Sequence, residues 1–151
     1  MKLDIKFDDK LVRDKLGLIH KALLSPKEPL ENTSKELMEY FGETVFNRQG
    51  GAKKWKPLAP STLIARGKRT GYYKNNPQQR GKTLVWTGRL RNSFNKKLAR
   101  RSLVISNNSP YFKNHQLGLN KIPKRQILSA DKYVKLVTLK NFEKFFNKIT
   151  S

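Results

Sequence analysis

Between residues 44 and 130 the chain contains no aspartate or glutamate, yet those 87 residues carry 20 of its 33 lysines and arginines. The eleven acids lie within residues 4–43, apart from Asp131 and Glu143. The centre is therefore a polycation of charge +20, and the two ends together supply only +2 of the overall +22. Such a field attracts a polyanion, either nucleic acid or an acidic protein face. A compositional bias toward lysine would decorate a solvated surface. It would not clear every acid from one segment while sparing its flanks.

The 151 residues make one ordinary domain, which hides roughly 70% of the surface its unfolded chain exposes. Hydrophobic residues are 36% of the total and charged residues 29%, so the expectation is a modest core with long polar excursions. There is no cysteine, which excludes disulfides and thiolate sites and fits a reducing cytoplasm. The first residues, Met1 to Phe7, alternate and are charged, unlike a signal peptide. No segment approaches the ~20 apolar residues of a membrane span, so a soluble protein without membrane contact is expected.

Leu11, Val12, Leu16, Ile19 and Leu23 recur at helical spacing and predict a first helix with one apolar stripe. Asp8 or Asp9 is its expected cap, and Ser25-Pro26 its end. After a linker over 27–30, a second helix is predicted from Asn32, with Thr33 and Glu36 at capping-box spacing. Leu37, Met38, Phe41, Val45 and Phe46 form its expected buried face, and Gly50-Gly51 stops it. Trp55 to Leu58 reads as extended, because proline disfavours helix in the residue before it. Pro60-Ser61-Thr62 then opens a short helix through Arg66. Residues 67–82, rich in glycine and polar side chains, are expected to form a mobile loop. Thr87-Gly88 is a turn or helix cap, and Leu90, Phe94 and Leu98 fit either a helix or a strand face. Leu103 and Ile105 alternate with Ser102, Val104 and Ser106 as a half-buried strand would, and Ala99-Arg100-Arg101 would close a hairpin. Asp131 is placed to cap a last helix with Leu139, Phe142, Phe145, Phe146 and Ile149 on its apolar face. The expected class is α+β: two N-terminal helices, a small antiparallel sheet and a C-terminal helix.

Catalytic chemistry is poorly supplied. The acid-free centre cannot build a carboxylate dyad. The only histidines are His20 and His115, and a Ser–His–Asp site would have to import its acid from the termini. No cluster of His, Asp or Glu has metal-ligand spacing, so neither metal nor cofactor is expected. Arg80-Gly81-Lys82-Thr83 ends like a phosphate-binding loop, but Asn76 stands where the first glycine belongs and no strand precedes it. Binding chemistry is better represented. Lysines and arginines are interleaved with Trp55, Tyr72, Tyr73, Trp86 and Phe94, as in proteins that hold single-stranded nucleic acid by phosphate contact and stacking. For Trp55, Phe94 and Phe112 a core role is the stronger reading. For Tyr72 and Tyr73 core and contact stay open.

Four segments in order resemble the phage virion morphogenesis (Mu-like tail completion) family. Trp55-Lys56-Pro57-Leu58 with Thr62 is similar to its W-x-P-L-x-x-x-T signature. Leu84 with Thr87, Gly88, Leu90 and Ser93 resembles its L-x-x-T-G-x-L-x-x-S block, and Tyr111 with His115, Gln116 and Gly118 its Y-A-x-x-H-Q-x-G block. Ile122-Pro123-Lys124-Arg125 with Leu128 resembles I-P-A-R-x-x-L. The resemblance covers residues 46–128. Phe112, Lys124 and Gln126-Ile127 depart from the usual alanine, small residue and proline–aromatic pair.

The resemblance implies a structural protein without cofactor, forming a homo-oligomeric ring at the neck or tail end of the virion. Its partners would be other neck or tail proteins, and non-specific contact with packaged DNA is possible through charge. Arg125, which has no acid near it in sequence, is the expected interface residue, pairing with a carboxylate of a neighbouring subunit. Arg89, Arg91, Tyr72, Tyr73, His115 and Gln116 are the further interface candidates. Trp55 and Leu58 are expected to anchor an extended segment on the core, Gly88 to allow a tight turn, and Gly118 to end a segment where a side chain would clash. Charge alone would favour a different class, a host nucleic-acid-binding protein.

Overall fold

A computed structural model describes residues 9–68 and 75–150. The first helix, α1, runs over Lys10–Leu24 and breaks at Ser25-Pro26. Its stripe is regular, but none of its residues is buried: Leu11, Val12, Leu16 and Leu23 are all at least half exposed. Asp9 is not a side-chain cap. Its carboxylate accepts from the Arg13 guanidinium one turn on, at 2.8 Å from Nε.

The second helix starts earlier than its capping box predicts. α2 spans Lys27–Glu39 and continues through a π-helical turn, Tyr40–Thr44, into α3, Val45–Arg48. Pro29 is admitted because the first helical turn has no backbone donor to lose. Thr33 thereby falls inside the helix, buried, and Glu36 bonds Asn141 instead of closing a box. The π turn inserts one residue into the register, so Tyr40 and Phe41 both turn inward before Val45 and Phe46. The helix stops where Gln49 enters the left-handed region at φ 55°.

An extended stretch from Trp55 leads to α4, Pro60–Lys68. A one-turn helix α5, Arg89–Asn92, starts from Gly88 at φ 71°, a left-handed conformation that glycine adopts without steric cost. Strands β1, Phe94–Ala99, and β2, Ser102–Asn107, then pair antiparallel, with Phe94 opposite Asn107 and Ala99 opposite Ser102. Leu90 therefore belongs to a helix, while Phe94 and Leu98 belong to a strand. Phe94, Leu98, Leu103 and Ile105 share one face of the hairpin; Phe94 is buried and the others are half-buried. Val104, on the other face, is exposed. α6, Phe112–Leu117, closes at Gly118, φ 76°, where a Cβ would stand 2.9 Å from the Cβ of Lys124.

The last helix, α7, covers Lys132–Thr150, and Asp131 caps it through Oδ1, which accepts from the Val134 amide at 3.0 Å. Its buried line is Val137 and Asn141, with Val134 beside it. Leu139 lies on the far side, 58% exposed, and Phe142, Phe145, Phe146 and Ile149 are half-buried. Polar contacts fix α7 against α2: Asn141 Nδ2 donates to Glu36 Oε1 at 3.0 Å, and Lys148 meets Glu28 at 3.0 Å. The other oxygen of Asp131 accepts from the Tyr40 hydroxyl at 2.6 Å.

The core is one cluster joining Leu37, Tyr40, Phe41, Val45 and Phe46 to Trp55, Val85, Leu90, Phe94, Ile127 and Val137. The architecture is α+β: α2 packs against the two-stranded sheet, α7 packs on α2, and α1 lies beside α7. Among the described residues no helix is long and apolar enough to cross a membrane.

Candidate functional site

The four segments that resemble the family signatures are spread over residues 55–128. The fold brings them to a single cleft of about 660 Å³. Leu58 comes from the extended stretch after Trp55, and Arg66 from α4. Leu84, Trp86, Thr87, Gly88, Arg89 and Leu90 come from the approach to α5 and from α5 itself. Tyr111 and His115 come from the start and middle of α6, and Arg125 from the connection before α7.

Each wall is held by a specific bond. Trp55 is buried edge-on against Phe46, ring centroids 5.5 Å apart, and its indole Nε1 donates to the Gln126 carbonyl at 2.9 Å. That bond ties the first signature to the last. Gln116 reads the same connection from the other side. Its Oε1 accepts from the Ile127 and Leu128 amides at 2.8 and 3.1 Å, and its Nε2 donates to the Leu128 carbonyl at 2.6 Å. Gln49 does the equivalent for residue 83, accepting from the Thr83 hydroxyl at 2.8 Å and donating to Phe46. Arg66 Nη1 donates to the carbonyls of Arg80 and Lys82, at 3.2 and 2.8 Å. Residues 77–82 are thus bonded to α4 at the cleft edge.

Arg125 is the least expected member. Its side chain does not stand out toward a neighbouring chain: the residue is 6% exposed. Nε donates to the Lys56 carbonyl at 3.1 Å and Nη2 lies 3.5 Å from the Pro57 carbonyl, so its partners are the main chain of the first signature. Among the described residues no carboxylate lies within ion-pair distance of it. The expectation of an inter-subunit ion pair is replaced by an intrachain one-sided arrangement. The physical reason is that Lys56 and Pro57 belong to no helix or strand, so their carbonyls can accept from the guanidinium.

The electrostatics of the cleft follow. Burial pulls the Arg125 guanidinium below its ordinary value, and the nearby Arg66 lowers it further. Burial likewise lowers the His115 imidazole from its ordinary value, and the charge of Arg125 lowers it further. His115 Nδ1 is buried with no hydrogen-bond partner among the described residues. Arg66, Arg89 and Arg125 contribute positive charge, and no lining residue is an acid.

The other sequence candidates separate by position. Arg89 is exposed at the rim, whereas Arg91 is half-buried outside the cleft. Thr87 Oγ1 accepts from the Arg89 amide at 3.3 Å, and Ser93 Oγ donates to the Arg89 carbonyl, so both fix α5. Thr62 is half-buried in α4, and Pro123 is exposed. Tyr72 and Tyr73 lie outside the described residues, as do residues 69–74 of the predicted mobile loop. Gln116 is a clamp of the fold and not a surface contact. Gln49, Ile127 and Arg66 were not legible as site-building residues. Their roles depend on which main-chain groups arrive beside them. Among the described residues no group of three His, Asp or Glu side chains is placed to hold a metal. No protein-family model, curated protein or solved structure matches the chain.

Proposed function

We propose that this chain is a structural protein of a tailed-phage or prophage particle, acting at the neck or tail end in tail completion or head–tail joining. The observation that carries the reading is convergence: residues from all four signature-like segments line one cleft. Segments kept only for folding would scatter through the core. These instead combine core anchors, Trp55 and Leu90, with solvent-facing binding groups such as Arg89 and Trp86. The activity proposed is binding and not catalysis, because no lining group pairs a base with a nucleophile or an acid. The chain would assemble in the bacterial cytoplasm as a ring of identical copies, with other neck or tail proteins as its partners.

Deleting the gene from an inducible prophage tests this. Filled heads and tails that fail to join, or tails with defective ends, are expected under the electron microscope. Normal infectious particles would end the proposal.

A host nucleic-acid-binding role is the second reading, and the acid-free centre favours it. In that case affinity for duplex DNA falls by orders of magnitude between about 50 and 200 mM salt, with six or more phosphates neutralised. Flat binding across that range removes this reading.

A further inference from the structure

We propose that the cleft binds a short acidic–apolar peptide segment of a partner protein, with a carboxylate meeting the arginines and an aliphatic or aromatic side chain seated on the leucine wall. The inference rests on the cleft being the binding site, as above, but not on the partner belonging to a phage particle.

Anion recognition follows from the charge of Arg125, which no carboxylate among the described residues pairs with. Burying a guanidinium is costly unless an opposite charge accompanies it. Arg125 is buried beside two carbonyls, with Arg66 near enough to depress its ionisation and no acid in the walls. Carbonyl dipoles satisfy donors without neutralising a charge. His115 adds a buried nitrogen with no partner among the described residues, in contact distance of the same wall. An entering carboxylate supplies the missing negative charge, and guanidinium forks match its two oxygens.

The rest of the wall decides which anion. Leu58, Leu84 and Leu90 are aliphatic, and Tyr111 and Trp86 flank them. A nucleic-acid backbone needs a track of phosphate contacts and flat faces for its bases. A cleft with a leucine floor and cations along its edge instead suits a side chain of a few carbons joined to a carboxylate within one or two residues. The chain's own centre cannot supply such a segment, because residues 44–130 hold no acid.

The test uses the full chain and short random peptides displayed for selection, followed by fluorescence titration of the winners, with oligothymidylate as the competing probe. Selected peptides are expected to place Asp or Glu within a few positions of Leu, Ile, Phe or Trp. Replacing that acid by its amide should weaken binding by about tenfold or more, as should Arg89→Gln or Trp86→Ala in the protein. Arg89 is exposed, so Arg89→Gln keeps the thermal transition of the parent, which separates lost binding from lost folding. Arg125→Met, which disturbs the fold, serves only as a further comparison. Selection without an acidic–apolar pattern, or peptides bound equally by the Arg89→Gln protein, would overturn the proposal. So would oligothymidylate displacing every peptide, which would make the cleft a nucleic-acid site. None of these results depends on the prophage deletion, whose outcome bears on the particle alone.

Discussion

Helix α1 and the helix formed by α2, the π turn and α3 are both amphipathic in sequence, and they meet opposite fates. α1 has the cleaner stripe, yet Leu11 is 71% exposed and Leu16 59%. The second helix buries Leu37, Phe41, Val45 and Phe46, and with them the polar Thr33 and Ser34. Periodicity makes a helix possible; burial requires a second surface to meet it. Tyr40, Phe41 and Phe46 find Trp55, Phe94 and Ile127. α1 buries no residue: it lies beside α7 with Ile19, Ala22 and Leu24 half-buried, and is tethered by Lys15 Nζ, which donates to the Thr150 carbonyl at 2.9 Å, and by Arg100, which donates to the Leu24 carbonyl at 3.1 Å. A helix of this length is marginal without tertiary packing. Its exposed ion pair with Arg13 adds little.

The contrast can be broken most sharply by truncating the buried helix. Phe46→Ala should cost about 3–5 kcal/mol, a large share of a domain's ~5–15, because a fully buried ring leaves a cavity between Trp55 and Phe94. Urea denaturation reads this directly, and a loss under roughly 1 kcal/mol, as for a surface site, would mean the core is not there.

Arg125→Ala is the next largest. Removing a charged donor from two carbonyls should cost about 1.5–3 kcal/mol. A variant as stable as the parent would return Arg125 to the surface role that its sequence context predicts.

Tyr40→Phe should cost about 1 kcal/mol, since Asp131 is only half-buried and water can replace the lost hydroxyl. The pH dependence is more telling. Burial first, and then the hydrogen bond to Asp131, push the Tyr40 hydroxyl up from 10.0 to about 12. A raised folded value means that its contribution is fully present below pH 10 and is lost as pH rises toward 12. The stability gap between parent and Tyr40→Phe should therefore close across that window. A gap that stays constant in the same denaturation series would show that the hydroxyl does not bond Asp131.

The smallest effect is expected in α1. Leu16→Ala in the isolated chain should change stability by no more than about 0.5 kcal/mol, the usual range for a surface site. A change of several times that size would erase the comparison by placing α1 in a core.

Much of the site was legible, though with uneven roles. Trp55 read as a core anchor, and it is one; Leu58 read the same way and instead lines the cleft. Thr87-Gly88 and Gly118 read as turn positions, and Gly88 and Gly118 both take left-handed backbone. His115, Gln116 and Arg125 read as interface candidates. Gln116 and Arg125 instead bond main-chain groups of distant segments, where their buried donors and acceptors find hydrogen-bond partners. No local pattern announces those acceptors. The buried line of α7 differs from the predicted apolar face for a related reason: Asn141 is inside, where it bonds Glu36, and Leu139 lies on the exposed side.

What the sequence alone determined is local or summed. The helical periods, the hairpin alternation and the acid-free polycation are properties of neighbouring residues or of simple counts. The tertiary structure decided the pairings. It chose which amphipathic helix would be covered, joined Trp55 to Gln126, and set Arg125 against Lys56 and Pro57. It also gathered four scattered segments around one cationic cleft. Burial and charge compensation are energies between groups far apart in the chain, so they take a value only once folding has fixed which groups are near.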